Sequence, residues 1–259
     1  MKIIVCIKQV PGTMQVKIDP VTHTLIREGG IINPFDTYAL EEGVRIKEKL
    51  GGKVTVISMG PPLAIESLRE TISLGADEAI LLSDSAFAGA DTLATSYTLA
   101  NGIQKIGGVD IIICGKQAMD GDTAQVGPGI AENLNIPFVT WVRKIEEIRE
   151  GYIRVQRLME DSYEVIEMAL PALITVVKEI NIPRLPSLKA MLRAKNVSIP
   201  VWTANDLGVE RNRIGMNGSP TKVVHTFTPP SRSKGEIFAG PAAKSAEVLV
   251  EKLRGIKIV

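Results

Sequence analysis

The sequence has few of the residues from which metal centres and nucleophilic catalytic sites are built. Its two cysteines, Cys6 and Cys114, both stand inside apolar runs, a position typical of buried thiols in a reducing compartment. The two histidines, His23 and His225, are equally isolated. We therefore expect no metal site and no catalytic residue of the nucleophile or general-base kind.

Charge and hydropathy exclude further classes. A formal charge of +1 gives no overall attraction to nucleic acid or to a membrane surface. There is no run of about 18 apolar residues, so we expect no membrane insertion. Met1 begins on a strand-like segment rather than a signal peptide, which predicts a cytoplasmic protein. With 259 residues and 45% hydrophobic content, the chain can bury one sizeable core and carry an appendage.

Short apolar runs alternate with helical patterns along the first 145 residues. Helices of ordinary length between strands imply βαβ units and a parallel sheet covered on both faces. The sequence therefore predicts a doubly wound α/β domain. The predicted strands are 3–7, 53–60, 78–83 and 110–115, and the predicted helices are 36–52, 61–76, 91–106 and one that ends near Asn135.

After residue 145 the alternation of strand and helix patterns ends. Residues 152–177 predict two strands that meet at a turn near Asp161, and then a further strand after Pro171. From about 219 a proline-rich arm leads to a terminal helical pattern, so we expect a domain of residues 1–218 and a C-terminal arm of residues 219–259. The apolar positions of that last pattern are Ala246, Leu249, Val250 and Leu253.

Two of the loops expected at the carboxyl ends of the strands suit a ligand. Residues 85–92 and 115–127 are small, contain glycine and lead into helices, whose free N–H groups can hold phosphate. The acids Asp91, Asp120 and Asp122 fit better as helix caps or as acceptors for ribose hydroxyls. Neither G-x-G-x-x-G nor a Walker A sequence is present, so the residues alone leave a nucleotide site and ordinary connecting loops as open alternatives.

Several segments resemble the beta subunit of electron transfer flavoproteins over nearly the whole chain. The resemblance implies a Rossmann-like domain that holds an adenine nucleotide and pairs, as a heterodimer, with an alpha subunit carrying the main redox FAD. The matching segments are "IVCIKQVPGT" (4–13), "NPFDTYALEEGVRIKE" (33–48), "LGADEAILL" (74–82), "GKQAMDGDTAQVGP" (115–128) and 169–195. The nucleotide contacts that it implies are Cys6, Lys8, Asn33, Pro34, Phe35, Asp36, Met59, Gly115, Lys116, Gln117, Ala118, Met119, Asp120, Gly121, Asp122, Thr123, Ala124, Gln125 and Val126.

The stretch "DSAFAGADTLATS" (84–96) is similar to that of electron-bifurcating members of the family. This resemblance implies FAD in the beta subunit, with Asp91, Thr92 and Thr95 as additional contacts. It also implies NADH as electron donor, with ferredoxin and a partner dehydrogenase as acceptors. Ordinary members hold AMP instead, and a small-residue turn at 86–90 with Asp91 as a helix cap is the alternative interpretation.

The segment 181–195 is a proline-stiffened loop that leads into a short basic amphipathic helix. The pattern alone favours a core-facing helix. The resemblance instead implies a docking element for a flavin-dependent dehydrogenase of the acyl-CoA or 2-hydroxy acid type. Leu188 would be the anchor, while Lys189, Arg193 and Lys195 would attract an acidic partner. Better-known members have Tyr-Ala where this chain has Leu185–Pro186.

Overall fold

The computed structural model describes residues 1–12, 17–18, 25–26, 30–224 and 235–258. The chain divides into two compact units, Met1–Lys222 and Val223–Val259. The first of these units extends to Lys222, and the division into a domain of residues 1–218 and an arm of residues 219–259 stays a prediction. Ser219 belongs to the first unit because it is buried and its hydroxyl accepts a hydrogen bond from the Asp91 N–H at 2.8 Å.

The elements follow the predicted alternation of strands and helices. The strands are β1 (Lys2–Cys6), β2 (Gln9–Pro11), β3 (Lys17–Ile18), β4 (Leu25–Ile26), β5 (Gly30–Ile32), β6 (Lys53–Met59), β7 (Glu78–Leu82), β8 (Ile111–Gly115), β9 (Phe138–Arg149), β10 (Tyr152–Leu158), β11 (Tyr163–Ala169), β12 (Ala172–Val176) and β13 (Val201–Trp202). The α-helices are α1 (Pro34–Leu50), α2 (Ile65–Ser73), α3 (Thr92–Ile106), α4 (Val126–Leu134), α5 (Leu188–Lys195), α6 (Ala204–Leu207) and α7 (Ala242–Gly255).

A nine-stranded sheet in the order β11-β10-β9-β12-β8-β1-β6-β7-β13 forms the centre of the first unit. The strands from β9 to β13 in this order pair in parallel, and β10 pairs antiparallel with both β9 and β11. The chain begins at β1, adds β6 and β7 on one side, and then crosses to β8 on the other side. This reversal confirms the doubly wound α/β prediction.

Two hydrophobic layers cover the sheet, one on each face. One layer packs α1 and α2 against the sheet through residues such as Leu40 and Leu68. The other packs α3 and α4 through residues such as Ile103 and Ile130. The uninterrupted apolar runs of β1 and β8 are explained by this burial on both faces.

Local chemistry sets the ends of α1. Pro34 is the first residue of the helix, where its missing N–H costs no hydrogen bond. The helix therefore begins two residues before the predicted start at 36. Lys47 and Lys49 lie in the last turn, where they complement the helix dipole. Gly51 follows the helix with φ 75° and ends it.

Strand β9 was not predicted from the sequence. Its alternation of apolar and polar residues is broken at Trp141, which has φ 60°, in the left-handed region. The Trp141 N–H donates to the Thr175 hydroxyl at 3.1 Å, and the pairing of β9 with β12 shifts register at this point. The predicted strands at 152–177 and the turn near Asp161 are confirmed by β10, β11 and β12.

The second unit contains α7, at the position of the predicted helical pattern. Lys252 of this helix forms an ion pair with Glu236, and its Nζ lies 5.6 Å from the centre of the Phe238 ring. None of the helices in the described parts of the chain is long and apolar enough to cross a membrane.

Candidate functional site

The switch point of the sheet lies between β1 and β8, the neighbouring strands at which the chain reverses its direction of growth. In open α/β sheets, ligands bind in the crevice outside the carboxyl ends of the strands at such a point. Three of the predicted segments meet here. They are the residues after β1, the start of α1 and the loop after β8.

Asn33, which precedes α1, joins these three segments. Its backbone N–H donates to the Lys8 carbonyl at 2.8 Å. Its side-chain nitrogen donates to the Gln117 carbonyl at 2.8 Å, and its side-chain oxygen accepts from the Met119 N–H at 3.1 Å. Asn33 is only 1% exposed. It therefore fixes the shape of the loop after β8 through bonds to the protein backbone.

Asp36, in the first turn of α1, is a buried carboxylic acid. Its Oδ2 accepts a hydrogen bond from the Lys8 N–H at 2.7 Å. Burial raises the pKa of Asp36 to about 7, against the opposing effect of hydrogen bonds from Asn33, Lys8 and Gly115. The carboxyl group thus titrates close to neutral pH, inside the crevice.

Gly115 ends β8 where the start of α1 comes very near. A Cβ at this position would lie 2.4 Å from Asp36 Oδ1 and 2.7 Å from the Phe35 carbonyl carbon. Real Cβ atoms essentially never approach backbone so closely, so only glycine allows this contact. Packing therefore requires glycine at position 115, where the loop begins.

The loop after β8 carries charges of both signs and an unusual backbone. Lys8 Nζ lies 2.7 Å from both carboxylate oxygens of Asp120. Gln117 donates to the Asp122 carboxylate. Asp122 and Ala124 have φ 52° and 54°, a conformation that side chains rarely adopt. Strain of this kind clusters at functional sites.

Helix α4 begins at Val126 and ends at Leu134, next to the predicted end near Asn135. The capping residue is Gln125, and no side chain forms a cap hydrogen bond. The interpretation of Asp122 as a cap of this helix is wrong, because Asp122 precedes the capping position by three residues, and Thr123 does not cap the helix either. Within the described residues, no hydrogen bond is made by the backbone N–H groups of 123–126, which leaves donors free at the helix start.

Lys116 lies between two aromatic rings. Its Nζ is 5.0 Å from the centre of the Phe35 ring and 4.6 Å from that of Trp141. Its backbone N–H donates to the Val176 carbonyl at 3.0 Å. Trp141 is 40% exposed and was not among the residues predicted for the site. No motif marks it, since only the pairing of β9 with β12 brings it to this edge.

The loop after β7 is tied into the protein. Asp91 Oδ1 accepts from two N–H groups in the first turn of α3 at 3.0 and 3.1 Å, and Oδ2 accepts from the Thr221 N–H at 3.1 Å. Thr92 donates to the Gln125 side chain at 2.9 Å, and Thr95 is half-buried one turn further along. The role of Asp91 as a helix cap is confirmed, while a cofactor contact by these three residues stays a prediction.

Cys6 and Cys114 stand opposite each other on β1 and β8 and are both buried. A hydrogen bond with Cys6, together with burial, raises the pKa of the Cys114 thiol well above its ordinary value. Met59, at the end of β6, is half-buried. No group of three or more potential metal ligands exists among the described residues, and His23 and His225 lie outside them.

The donors and acceptors at this edge are of the kinds that an adenine nucleotide requires. Lys8, Lys116 and the free N–H groups of 123–126 are suited to phosphate oxygens. The carboxylates of Asp120 and Asp122, in an exposed loop, are suited to hydroxyl groups. The residues present therefore fit a nucleotide cofactor.

The segment predicted to dock a partner contains α5, which packs on α2. Of this helix only Ala194 is buried, so the alternative of a core-facing helix is wrong. Leu188 is 72% exposed, with Lys189 and Arg193 exposed on the same helix. The other large apolar side chains of the segment are exposed as well: Ile182 (83%), Leu185 (90%), Met191 (42%) and Leu192 (56%).

The sheet and its crevice define a doubly wound, Rossmann-like α/β protein. Residues 22–207 match the family model of the electron transfer flavoprotein domain. The chain is 55% identical over 262 residues to the electron transfer flavoprotein subunit beta of Thermoanaerobacterium thermosaccharolyticum, covering 100% of both chains. The chain belongs to the electron transfer flavoprotein beta-subunit family.

Two further relatives have other names. The caffeyl-CoA reductase-Etf complex subunit CarD of Acetobacterium woodii is 50% identical over 263 residues, covering 100% of each chain. Protein FixA of Bradyrhizobium diazoefficiens is 43% identical over 259 residues, covering 96% of this chain and 90% of the relative.

Proposed function

We propose that this beta subunit binds FAD at the switch point and takes part in electron bifurcation within a complex with an alpha subunit. The observation that carries the proposal is the joining of three segments by Asn33, which holds the loop after β8 against β1 and α1. The residues proposed to contact the cofactor are those that the sequence analysis names.

Different residues of the chain would bind different parts of the nucleotide. The N–H groups at the start of α4, with Lys8 and Lys116, would bind the phosphates. Asp120 and Asp122 would accept hydrogen bonds from ribose hydroxyls. Asp122 and Thr123 do not cap α4, so Thr123 and the Asp122 Oδ2, the oxygen that Gln117 does not bind, would be the atoms to contact a ligand.

Bound FAD would accept a hydride from NADH and would release it as a proton and two single electrons, one for ferredoxin and one for a partner dehydrogenase by way of the alpha subunit. The protein would position the cofactor and exclude water. The name of the Acetobacterium woodii relative, a subunit of a caffeyl-CoA reductase-Etf complex, supports a partner of the flavin-dependent dehydrogenase type.

A non-bifurcating electron shuttle that holds AMP is the alternative. It is favoured by the contacts of Asp91, whose two carboxylate oxygens already accept hydrogen bonds from the protein backbone. This residue then has a structural reason to be present, and it needs no flavin to explain it.

Cofactor analysis of the purified complex with the alpha subunit distinguishes these two functions. We expect two FAD molecules per complex and no AMP. One FAD together with one AMP would contradict bifurcation and establish the shuttle. If the beta subunit contained neither FAD nor AMP, this result would contradict the proposed site itself.

We propose further that the exposed segment at α5 docks the dehydrogenase through Leu188, with Lys189 and Arg193 attracting an acidic surface. Leu188→Ala is expected to raise the KM for the dehydrogenase about thirtyfold, because truncating an anchor costs about 2 kcal/mol. Cofactor content and NADH oxidation with an artificial acceptor should not change. Leu50→Ala, at the far end of α1, is the matched control, and equal KM values for the two variants would contradict docking at Leu188.

A further inference from the structure

The docking segment is held to the protein at both of its ends. It follows β12 in the chain, has no helix or strand from Asn181 to Ser187 and continues as α5. Between the two ends its leucines point to solvent, with Leu185 and Leu188 largely exposed. What holds the backbone in place is therefore not burial of these side chains.

At the first end, Arg184 binds two acids of α1. Its Nε lies 2.8 Å from Glu41 Oε2, and its backbone N–H donates to the same oxygen at 3.1 Å. Its two terminal nitrogens also reach Glu48, at 2.6 and 3.0 Å. Glu41 is buried, and although burial opposes ionisation, hydrogen bonds from Arg184 and Arg45 hold the pKa of Glu41 below its ordinary value. Asn181 adds a hydrogen bond to the Tyr38 carbonyl at 3.0 Å.

At the other end, Arg69 of α2 caps the last turn of α5. Its Nη1 lies 3.0 Å from the Ala194 carbonyl, 2.9 Å from that of Lys195 and 3.4 Å from that of Val197. The last carbonyls of a helix have no partner within the helix, and a cation beside them also complements the helix dipole. The guanidinium thus gives the Lys195 carbonyl a partner and adds a charged donor at the Ala194 carbonyl, which also accepts from the Val197 N–H.

An eight-residue helix needs this help. Isolated helices shorter than about 12 residues are marginal in water, and α5 buries a single residue. Ser187 caps its first turn by accepting from the Ala190 N–H at 3.2 Å. Without Arg69 the last turn loses this cap, and the Ser187 cap and the packing on α2 are left to stabilise the helix.

We infer that Arg69 and Arg184 are positioning residues for partner docking, which present Leu188 on a preformed helix. The inference rests on the proposed docking function and extends it to residues that the partner need not touch. A surface that is ordered before binding does not lose further conformational freedom on binding. Loss of Arg69 or of Arg184 should therefore weaken the complex with the dehydrogenase without affecting the cofactor site.

The test uses the complete complex and whichever of the acyl-CoA or 2-hydroxy acid dehydrogenases the wild-type complex reduces. Arg69→Met is expected to raise the KM for that dehydrogenase about tenfold, with kcat at saturating dehydrogenase and flavin content unchanged. Arg184→Lys, which keeps a charge beside the buried Glu41, should raise the KM in the same direction. Arg154→Met is the matched control, since it removes an exposed ion pair between β10 and β11.

Limited trypsin digestion gives a readout that does not depend on a partner. Cleavage after Lys189 and Arg193 should be severalfold faster in Arg69→Met than in the wild type, and unchanged in Leu188→Ala and Arg154→Met. Unchanged cleavage in Arg69→Met would overturn the inference, as would faster cleavage with an unchanged KM while Leu188→Ala still raises it. An unchanged KM in Leu188→Ala would overturn the docking function, and the inference with it.

Discussion

Replacing Gly115 by alanine is expected to strain the switch point without altering any charged group. The new Cβ would lie 2.4 Å from Asp36 Oδ1, 2.7 Å from the Phe35 carbonyl carbon and 2.8 Å from the Phe35 Cβ. Ordinary contacts begin at about 3.4 Å, so β8 and the start of α1 must separate by several tenths of an ångström or more. Overpacking of this kind costs about 1–3 kcal/mol, which lowers the melting temperature by roughly 4–8 °C for a loss of about 2 kcal/mol.

The assay is thermal unfolding of the complex followed together with its nucleotide content. Gly121→Ala is the matched control, because it adds a methyl group to the same loop with nothing within 4 Å of the new atom. Equal melting temperatures for the two variants would refute the close approach. A lowered melting temperature with full nucleotide content in Gly115→Ala would show that the cofactor does not depend on this contact.

Three other perturbations test the site and the second unit. Replacing Asp122 and Thr123 together by alanine should empty the beta-subunit nucleotide site and spare the alpha-subunit FAD; two FAD per complex would place the site elsewhere. Burial raises the pKa of Asp36 from 3.8 to about 7, so the folded state keeps a proton that the unfolded state releases, and this contribution to stability is lost as pH rises through that window. Between pH 4 and 8 the free energy of unfolding of Asp36→Asn should therefore rise relative to that of the wild type by up to about 4 kcal/mol. A difference in melting temperature that does not depend on pH would contradict the raised pKa of Asp36. The beta chain without its alpha subunit should aggregate, and deleting residues 223–259, whose α7 exposes Leu249 and Val250, should lessen this; a stable monomer unaffected by the deletion would count against an alpha-subunit role for the arm.

The alternation of strands and helices was readable from the sequence because each element carries its own local signal. The apolar runs of β1 and β8 are continuous since both faces of each strand are covered, and α1 has a proline at its start and a glycine after its end. Strand β9 escaped detection because the left-handed backbone at Trp141 breaks its period. A local departure of this kind is imposed by the neighbouring strand and leaves no mark in composition.

The site was readable in part for the same reason. The small residues and glycine of the loop after β8 indicated a ligand-binding loop, whereas Gly115 itself is required by its close approach to Asp36 and Phe35. The position of Asp122 and Thr123 relative to α4 was misjudged, since two left-handed residues delay the helix start. Trp141, Arg69 and Arg184 act on residues far away in the chain, and such partners follow only from the fold.

The facing thiols of Cys6 and Cys114 can report how often the structure around them opens. They are the chain's two cysteines and both are buried, and the raised pKa of Cys114 favours the unreactive protonated form of that thiol. Because both thiols are buried, we expect a thiol reagent to reach them only when the structure opens locally around the ends of β1 and β8. The labelling rate of the unmodified chain therefore measures how often this edge opens, and a bound nucleotide should slow that rate in proportion to its occupancy.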